Sequence, residues 1–180
     1  MESAASRGSA SATEPGAPLL LGLGANLGDP DAQLREAVRR LEEALGPARR
    51  SSVYRSAPVG RADQPDFLNL ALRFDRAAEP LEVLSLIGRI EREMGRVRTV
   101  RNEPRIVDID ILGAGDRIVD RDALHIPHPR LHERAFVLLP MIEIAPEWRH
   151  PELGLTPAAL LDRAGALERI ERLGPLEETP

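Results

Sequence analysis

The stretch from Arg96 to Leu112 reads RVRTVRNEPRIVDIDIL, an arginine-rich loop that runs into a short alternating segment. In a β-strand successive side chains point to opposite faces, so Asp108 and Asp110 share one face. The other face takes the apolar residues Val107, Ile109 and Ile111. The segment therefore predicts a strand with one face in an apolar core and the other carrying two negative charges.

The two adjacent carboxylates need a partner, because like charges at this spacing repel and are costly to bury. A divalent cation between Asp108 and Asp110 would remove the conflict, and Mg²⁺ prefers carboxylate oxygens and usually brings substrate phosphates with it. The upstream guanidinium groups suit phosphates, since each can pair with two oxygens at once. These groups belong to Arg96, Arg98, Arg101 and Arg105. The pattern predicts a magnesium–nucleotide site.

The composition excludes several kinds of chemistry. The chain has 180 residues, which favours one domain, and 42% of them are hydrophobic, enough for a core. The net charge of -5 gives no general case for binding nucleic acid or an anionic membrane. The chain contains no lysine, which excludes a P-loop lysine and a Schiff base, and no cysteine, which excludes disulfides and thiolate metal sites.

The chain ends are predicted to lie outside the folded domain. Residues 1–18 are rich in Ala, Ser, Gly and Pro and are expected to form a disordered tail. A single domain is expected over residues 19–173, followed by a loose tail at 174–180. No apolar run is long enough to span a bilayer or to serve as a secretory signal, so we expect a cytoplasmic protein.

The elements follow a strand, helix, strand, strand, helix, strand order. The glycine-rich segment Gly22 to Gly28 is similar to a dinucleotide fingerprint, but its third glycine is one place late, so a tight strand-to-helix turn is favoured. Helices are expected to begin at Asp29-Pro30 and at Pro80. Additional helices follow the last strand. This order predicts an α+β fold with a ferredoxin-like βαββαβ core, a mainly antiparallel sheet and helices packed on it.

A second functional candidate lies on the alternating strand that begins at Phe67. Phe67 and Asn69 share the face opposite a row of leucines. An aromatic ring to stack on and an amide to bond a ring edge are what a flat heterocycle needs. The alternative, which the pattern alone favours, is that Phe67 packs under a loop.

Three histidines, His125, His128 and His132, allow a zinc site to be considered. Pro127 and Pro129 prevent a helix there, so the histidines have no fixed helical relation. Contact between this segment and a phosphate is the favoured interpretation.

From about Leu19 to Leu155 the chain resembles the 6-hydroxymethyl-7,8-dihydropterin pyrophosphokinase family of folate biosynthesis. The Pro-Arg-x-x-Asp-hydrophobic-Asp strand is fairly specific, and together with its flanking motifs it is very specific. The residues that carry the resemblance are Gly24–Gly28, Tyr54–Ser56, Asp63–Asn69, Glu91, Gly95–Arg98, Pro104–Asp110 and Ile126–Pro129.

The resemblance implies transfer of pyrophosphate from ATP to the pterin hydroxymethyl group, with release of AMP. It implies that Asp108 and Asp110 hold two Mg²⁺ ions and act in catalysis with Arg96 and Arg105. The residues implied for ATP binding are Glu91, Arg96, Arg98, Arg105, Ile111, His128 and Arg134. The residues implied for pterin binding are Ser56, Ala57, Val59, Phe67, Asn69, Asp108 and Phe136. The expected partners are ATP and the pterin, with no nucleic acid or membrane, and the expected state is a monomer.

The sequence departs from the family pattern at a few positions. Asn102-Glu103 stands where the family often has an aromatic residue and a glycine, a difference in the loop that would close over ATP. His132 stands where the family often has a lysine. Two other functions remain open. Another two-metal phosphoryl or nucleotidyl transferase would not need Phe67 and Asn69, and an inactive ferredoxin-like binding module would tolerate loss of the aspartates.

Overall fold

A computed structural model describes residues 17–58, 64–75, 78–95, 106–165 and 169–177 of the chain. The first half contains β1 (Leu19–Ala25), α1 (Pro30–Leu45), β2 (Arg49–Arg50), β3 (Val53–Ser56), β4 (Phe67–Phe74), α2 (Pro80–Glu93) and β5 (Asp108–Ala114). The second half contains β6 (Val119–Arg121), β7 (Leu124–Ile126), a 3-10 turn (Leu131–Glu133), α3 (Ala135–Ile144), α4 (Pro157–Ala164) and β8 (Ile170–Gly174).

The main sheet has the strand order β5-β1-β4-β3-β8, and the short β2 pairs with β4. All its pairings are antiparallel. The predicted α+β class and mainly antiparallel sheet are confirmed. Because β1 lies between β4 and β5, residues far apart in the sequence meet at the centre of the sheet.

The sheet has two differently covered faces. One face packs on α1 and α2 through buried residues that include Leu21, Leu72, Ile109, Leu34 and Ile87. The other face is covered in part by α3 and α4, through Leu20, Leu112, Leu138, Met141 and Leu160. Each fully buried Leu or Ile side chain contributes about 1.5–3 kcal/mol to folding. Part of the second face, over β5, β1, β4 and β3, is left open, and the candidate site lies there.

The helix boundaries follow local signals in the sequence. The Asp29 side chain accepts a hydrogen bond from the Ala32 amide at 3.0 Å, and Pro30 occupies the first turn of α1. Gly46 ends α1 with a positive φ of 91°. The predicted start of this helix is confirmed.

Three elements differ from the sequence-based expectation. The sequence predicts one second strand from Arg49 to Ser56, but it is divided at Ser51 and Ser52, where the Ser51 hydroxyl accepts the Ala71 amide at 2.9 Å. The apolar pattern predicts a third helix from about Leu131 to Met141, but the helix begins at Ala135, after a 3-10 turn. Strand β8 was not predicted, because its exposed Glu171 and Arg172 lack the apolar alternation that marks a buried strand.

The proposed domain limits at residues 18 and 173 stay predictions, although buried Leu176 contributes to the core beyond the second of them. Within the described part of the chain, no helix has both the length and the apolar character that a membrane crossing requires.

Candidate active site

A row of paired residues runs across β4, β1 and β5. Gly24 pairs with Asn69 on β4 and with Asp108 on β5, and Gly22 pairs in the same way with Ala71 and Asp110. Directly paired residues of antiparallel strands place their side chains on the same face. The two aspartates and the asparagine therefore share one face, with glycines between them that leave the surface of β1 uncovered.

This row forms the base of a pocket of about 550 Å³. The pocket lies on the face of the sheet that α3 covers only in part. Its lining residues come from β1, β3, β4, β5 and α3 and from the segments before β4 and α3. They include Gly22, Gly24, Ser56, Ala57, Gln64, Phe67, Asn69, Asp108, Asp110, His128, Arg130, Arg134, Phe136 and Pro140.

One end of the pocket can recognise a flat polar ring. The Asn69 side chain is 6% exposed, and its Nδ2 donates to Ser56 Oγ at 3.0 Å and to the Tyr54 carbonyl at 3.3 Å. These bonds turn Oδ1 towards Gly24, where a Cβ atom would lie only 3.3 Å from it. Asn69 thus presents an acceptor to the pocket, which the rings of Phe67 and Phe136 also line.

The other end of the pocket is charged. His128 Nε2 lies 4.0 Å from Asp110 Oδ2, while His128 Nδ1 accepts the Arg130 amide at 3.2 Å. Burial, and then repulsion by Arg134 and Arg130, lower the pKa of His128 to about 4 in spite of attraction by Asp108. Near neutral pH the ring is therefore uncharged, and its proton sits on Nε2 beside Asp110. It can donate a hydrogen bond to an anionic ligand.

Arg134 supplies a fixed cation beside this end. Burial, together with the nearby Arg130, lowers the pKa of the guanidinium, but an arginine stays protonated at any physiological pH. Its Cζ lies 5.6 Å from the centroid of the Phe136 ring, within the range of a cation–π contact. A charged side chain and an aromatic side chain of the pocket lining are therefore in contact.

The two aspartates fit a divalent metal by their chemistry. Both lie on β5 and line the pocket, and the Asp110 side chain is 43% exposed. Mg²⁺ is usually held by one or two carboxylates together with phosphate oxygens of the substrate. Over the described ranges there is no group of three or more potential metal-binding side chains, so the protein contribution found there is this carboxylate pair.

The structure brings most of the sequence-predicted site residues together. The pocket is lined by Asp108, Asp110, His128, Arg134, Ser56, Ala57, Phe67, Asn69 and Phe136. Glu91 and Ile111 are described but do not line it. The remaining candidates, Arg96, Arg98, Arg105 and Val59, lie outside the described residues, as do Arg101, Asn102 and Glu103.

Glu91 lies under β5, the strand that carries the two aspartates, and does not line the pocket. Its side chain, on α2, is 3% exposed, and its Oε1 accepts the Ile109 amide at 3.0 Å. Ile109 stands between the two aspartates, so Glu91 fixes the backbone that carries them. Ile111 is 5% exposed and packs in the core against α1 and α2, on the face opposite Asp110. Its side chain therefore does not reach the pocket.

The histidines of the Pro-rich segment are dispersed. His125 pairs with Asp120 at 3.1 Å on the β6–β7 hairpin, whereas His132 packs edge-on against His150 with ring centroids 6.2 Å apart. Only His128 of the three lines the pocket. This arrangement does not support the zinc alternative.

Sequence reasoning missed the role of the two glycines in β1. Gly22 and Gly24 are spaced by two in an otherwise apolar strand, and that spacing places both on one face. It also missed Asn26, whose Nδ2 donates to Gln64 Oε1 and to the Pro65 carbonyl, each at 3.3 Å. Asn26 thereby ties the segment before β4 to the end of β1 and holds Gln64 at the edge of the pocket.

The family model and the relatives that this chain matches point to the same protein family. The 7,8-dihydro-6-hydroxymethylpterin-pyrophosphokinase (HPPK) family matches residues 20–146. A relative from Pseudomonas aeruginosa named 2-amino-4-hydroxy-6-hydroxymethyldihydropteridine pyrophosphokinase is 41% identical over 154 residues, which cover 84% of this chain and 93% of the relative. A protein of the same name from Bacillus subtilis is 43% identical over 126 residues, which cover 69% of this chain and 75% of the relative.

Longer proteins also contain a matching part. The folic acid synthesis protein FOL1 of Dictyostelium discoideum is 41% identical over 136 residues, but the match spans only 21% of that protein. A crystal structure of Plasmodium falciparum HPPK-DHPS superposes with a TM-score of 0.67 at 18% identity, covering 84% of this chain and 44% of that one. This last likeness bears on the fold alone. The match to the family over most of the chain shows that the protein belongs to the 7,8-dihydro-6-hydroxymethylpterin-pyrophosphokinase family.

Proposed function

We propose that the chain transfers the pyrophosphate group of ATP to the hydroxymethyl oxygen of 6-hydroxymethyl-7,8-dihydropterin, as a step of folate biosynthesis. The observation that carries the proposal is the row through Gly24, which joins Asn69 at one end to Asp108 at the other. An acceptor for the ring edge and a carboxylate that can hold the metal of a metal–phosphate complex thus lie on one continuous surface. This is the arrangement that a pterin with a reacting side arm requires.

The reaction displaces AMP from the β-phosphorus of ATP. A bond forms between the hydroxymethyl oxygen and the β-phosphorus, the bond from the β-phosphorus to the oxygen shared with the α-phosphate breaks, and the hydroxyl proton is released. Such transfers depend on positioning and on neutralising charge, with little covalent chemistry for the protein to do. We therefore assign no general base.

At the pterin end, Asn69 would accept a hydrogen bond from the ring edge, and Phe67 and Phe136 would pack on its faces. The backbone around Ser56, Ala57 and Val59 would contact the remaining ring edges. Because Asn69 Nδ2 is already bonded to Ser56 and Tyr54, the orientation of the Asn69 amide is fixed before the ligand binds. A preorganised acceptor of this kind lowers the cost of binding.

At the phosphate end, Asp108 and Asp110 would hold Mg²⁺, for which two ions are proposed, and the metal would neutralise and orient phosphate oxygens. Arg134 and the neutral His128 would contact the phosphates directly. Arg96, Arg98 and Arg105 are proposed for the same task on sequence grounds. For Glu91 we propose that its effect on ATP binding acts through the Ile109 amide.

One assay tests the proposal. The chain is incubated with ATP, Mg²⁺ and 6-hydroxymethyl-7,8-dihydropterin, and the nucleotide and pterin products are separated and identified. AMP and a pterin diphosphate in equal amounts are expected. Formation of ADP, or the absence of turnover by folded protein, would overturn the proposal. Omitting Mg²⁺ tests the metal requirement in the same experiment.

Two variants separate this activity from that of another two-metal transferase. Phe67→Ala and Asn69→Ala should weaken pterin binding more than ATP binding, because both side chains lie at the aromatic end of the pocket. Equal losses for both substrates would argue for a transferase with a different acceptor. A monomeric state and a cytoplasmic location remain predictions from the sequence, and sedimentation tests the first of them.

A further inference from the structure

Tyr54 is the only tyrosine of the chain, and it lies at the junction between the sheet and α3. Its side chain is 6% exposed, and its hydroxyl donates a hydrogen bond to Glu143 Oε1 near the end of α3. Burial first, and then the hydrogen bond to this carboxylate, raise the pKa of Tyr54 to about 12. The phenol therefore stays protonated and remains a donor to Glu143.

Glu143 gathers donors from two strands and from the segment before β3. Besides Tyr54, it accepts the Ser52 amide at 2.8 Å and Arg172 Nε, on β8, at 2.9 Å. A carboxylate that accepts several hydrogen bonds is held firmly, and bonds to a charged group are stronger than neutral ones. This group fixes the C-terminal part of α3 against the sheet edge formed by β3 and β8.

The pocket has one wall on α3, formed by Phe136, and an opposite wall on the sheet, formed by Asn69. Tyr54 contacts the Asn69 wall as well. It pairs with Asn69 across β3 and β4, and its carbonyl accepts Asn69 Nδ2 at 3.3 Å. One residue thus touches both the asparagine that faces the ligand and the carboxylate that anchors α3. A displacement of Tyr54 would therefore change the distance between Asn69 and the helix that carries Phe136.

The helix transmits the position of Glu143 to the pocket. Phe136, Pro140 and Glu143 are spaced by four and then three residues, so they lie along one side of α3. Phe136 and Pro140 line the pocket, whereas Glu143 lies beyond it. The hydrogen bonds to Glu143 therefore fix the orientation of this side of the helix, and that orientation determines where Phe136 lies in the pocket.

From these contacts we infer that Tyr54 and Glu143 are positioning residues of the pterin subsite, which hold the Phe136 wall at a fixed distance from the Asn69 wall. The inference rests on the proposed function, because it names the residues that shape the same pocket for its ring substrate. Neither residue touches the reacting atoms. Their loss should weaken ring binding while leaving the phosphate end intact.

The first test measures binding to folded variants. Pterin affinity is measured for the full chain, Tyr54→Phe and Glu143→Gln in the presence of Mg²⁺ and a saturating non-hydrolysable ATP analogue, and analogue affinity is measured separately. We expect pterin binding to weaken on the order of tenfold, the effect of losing one hydrogen bond to a carboxylate. Analogue affinity should not change.

Trp148→Phe is the matched control. It also removes one hydrogen bond from an aromatic side chain, the bond to the Gly115 carbonyl at 2.9 Å. Trp148 packs in the same core cluster as the buried residues of α3 and does not line the pocket. It should lower stability and leave pterin affinity unchanged. Unaltered pterin affinity in folded Tyr54→Phe, or equal losses in the control, would overturn the inference.

A spectroscopic test follows the wall itself. The chain has three phenylalanines, so 4-fluorophenylalanine gives three ¹⁹F resonances. Two of these residues, Phe67 and Phe136, line the pocket, whereas Phe74 is 1% exposed in the other core. Glu143→Gln should move the Phe136 resonance and leave that of Phe74 in place, and a similar shift of both would indicate a general structural effect and contradict the inference.

The positioning role of Tyr54 can also be tested without any substitution, because Tyr54 is the single tyrosine of the chain. Labelled as 3-fluorotyrosine, Tyr54 should give one resonance that shifts when the pterin is added to the complex with the ATP analogue. A pterin that binds without moving this resonance would count against the inference even if the variants fail to fold. A wild-type chain that does not bind the pterin at all would refute the proposed function instead.

Discussion

Asp108 and Asn69 oppose the same residue, Gly24, from the two strands that flank β1. Because neighbouring strands lie about 4.8 Å apart, the backbones of the two polar residues are separated by about 10 Å. A bicyclic ring with a short side arm can span that distance. The glycine between them leaves the ligand a path across the sheet that any side chain would obstruct.

The first prediction concerns this path. Gly24→Ala should raise the KM for the pterin about tenfold or more, because the new methyl group would stand 3.3 Å from Asn69 Oδ1 and cover the acceptor. Steady-state kinetics with each substrate varied in turn would measure the effect. The KM for ATP should change much less.

Gly88→Ala provides the control for Gly24→Ala. Gly88 lies inside α2, where the nearest atom to an added Cβ would be the end of the Arg92 side chain at 3.9 Å. Alanine should stabilise the helix by about 0.5–1 kcal/mol and leave both KM values unchanged. If Gly24→Ala behaved like Gly88→Ala, the proposed route of the pterin over β1 would be wrong.

Asp110→Asn should lower turnover at least about a hundredfold, since a metal site contributes several kcal/mol of charge stabilisation to phosphoryl transfer. The unliganded variant should melt at nearly the same temperature as the wild type, because the exchange preserves shape at a half-exposed position. Thermal unfolding with and without Mg²⁺ and ATP would test this. Full stabilisation of the variant by Mg²⁺ with ATP would remove the metal assignment.

Glu91→Ala should cost about 1–3 kcal/mol of stability, because the buried Ile109 amide would lose its acceptor. Glu91→Gln keeps an acceptor oxygen and should cost less. Urea unfolding of both variants would measure the difference. A rise in the KM for ATP in Glu91→Gln without any loss of stability would instead indicate direct contact between Glu91 and the nucleotide.

The stability of the α3 attachment should depend on acidity. Burial alone would raise the pKa of Glu143, but hydrogen bonds from Tyr54, Ser52 and Arg172 outweigh it and lower the pKa from 4.5 to about 2. A depressed carboxylate pKa contributes stability above the unfolded value, and that stability is lost as the pH falls through the folded value. The contribution should therefore be complete above about pH 4.5 and disappear towards about pH 2.

Urea midpoints of the wild type and of Glu143→Gln, followed from neutral pH downwards, would test this dependence. The difference between the two proteins should shrink over that interval, because glutamine does not titrate. A constant difference across the interval would mean that the hydrogen bonds to Glu143 do not favour its charged form.

Much of the fold could be predicted because its signals are local. The alternation from Phe67 to Phe74 predicted two faces, and the structure confirms them, with Leu70 and Leu72 buried in the core and Asn69 facing the pocket. The same rule placed Ile111 on the core face, opposite Asp110. The ATP-binding role given to Ile111 came from the family resemblance. The alternation of the strand already indicated that its side chain points away from the face of Asp110.

What could not be predicted depends on residues far apart in the sequence. The register that sets Gly24 between Asn69 and Asp108 is fixed by pairing of three strands, which a local pattern does not contain. Glu143 meets Tyr54 across 89 residues and Ser52 across 91. Nothing in the isolated sequence around Glu143 distinguishes it from a solvated glutamate near a helix end.

The separation between Glu143 and Phe136 on α3 has a mechanical consequence. Seven residues of helix span about 10 Å, so a tilt of about 5° at Glu143 would carry Phe136 through about 1 Å. A misplacement of that size can slow a positioned reaction about a hundredfold. A small tilt at the anchored end of the helix thus becomes a larger displacement at Phe136. The position of the Phe136 ring is therefore set two helical turns away from the substrate that it would face.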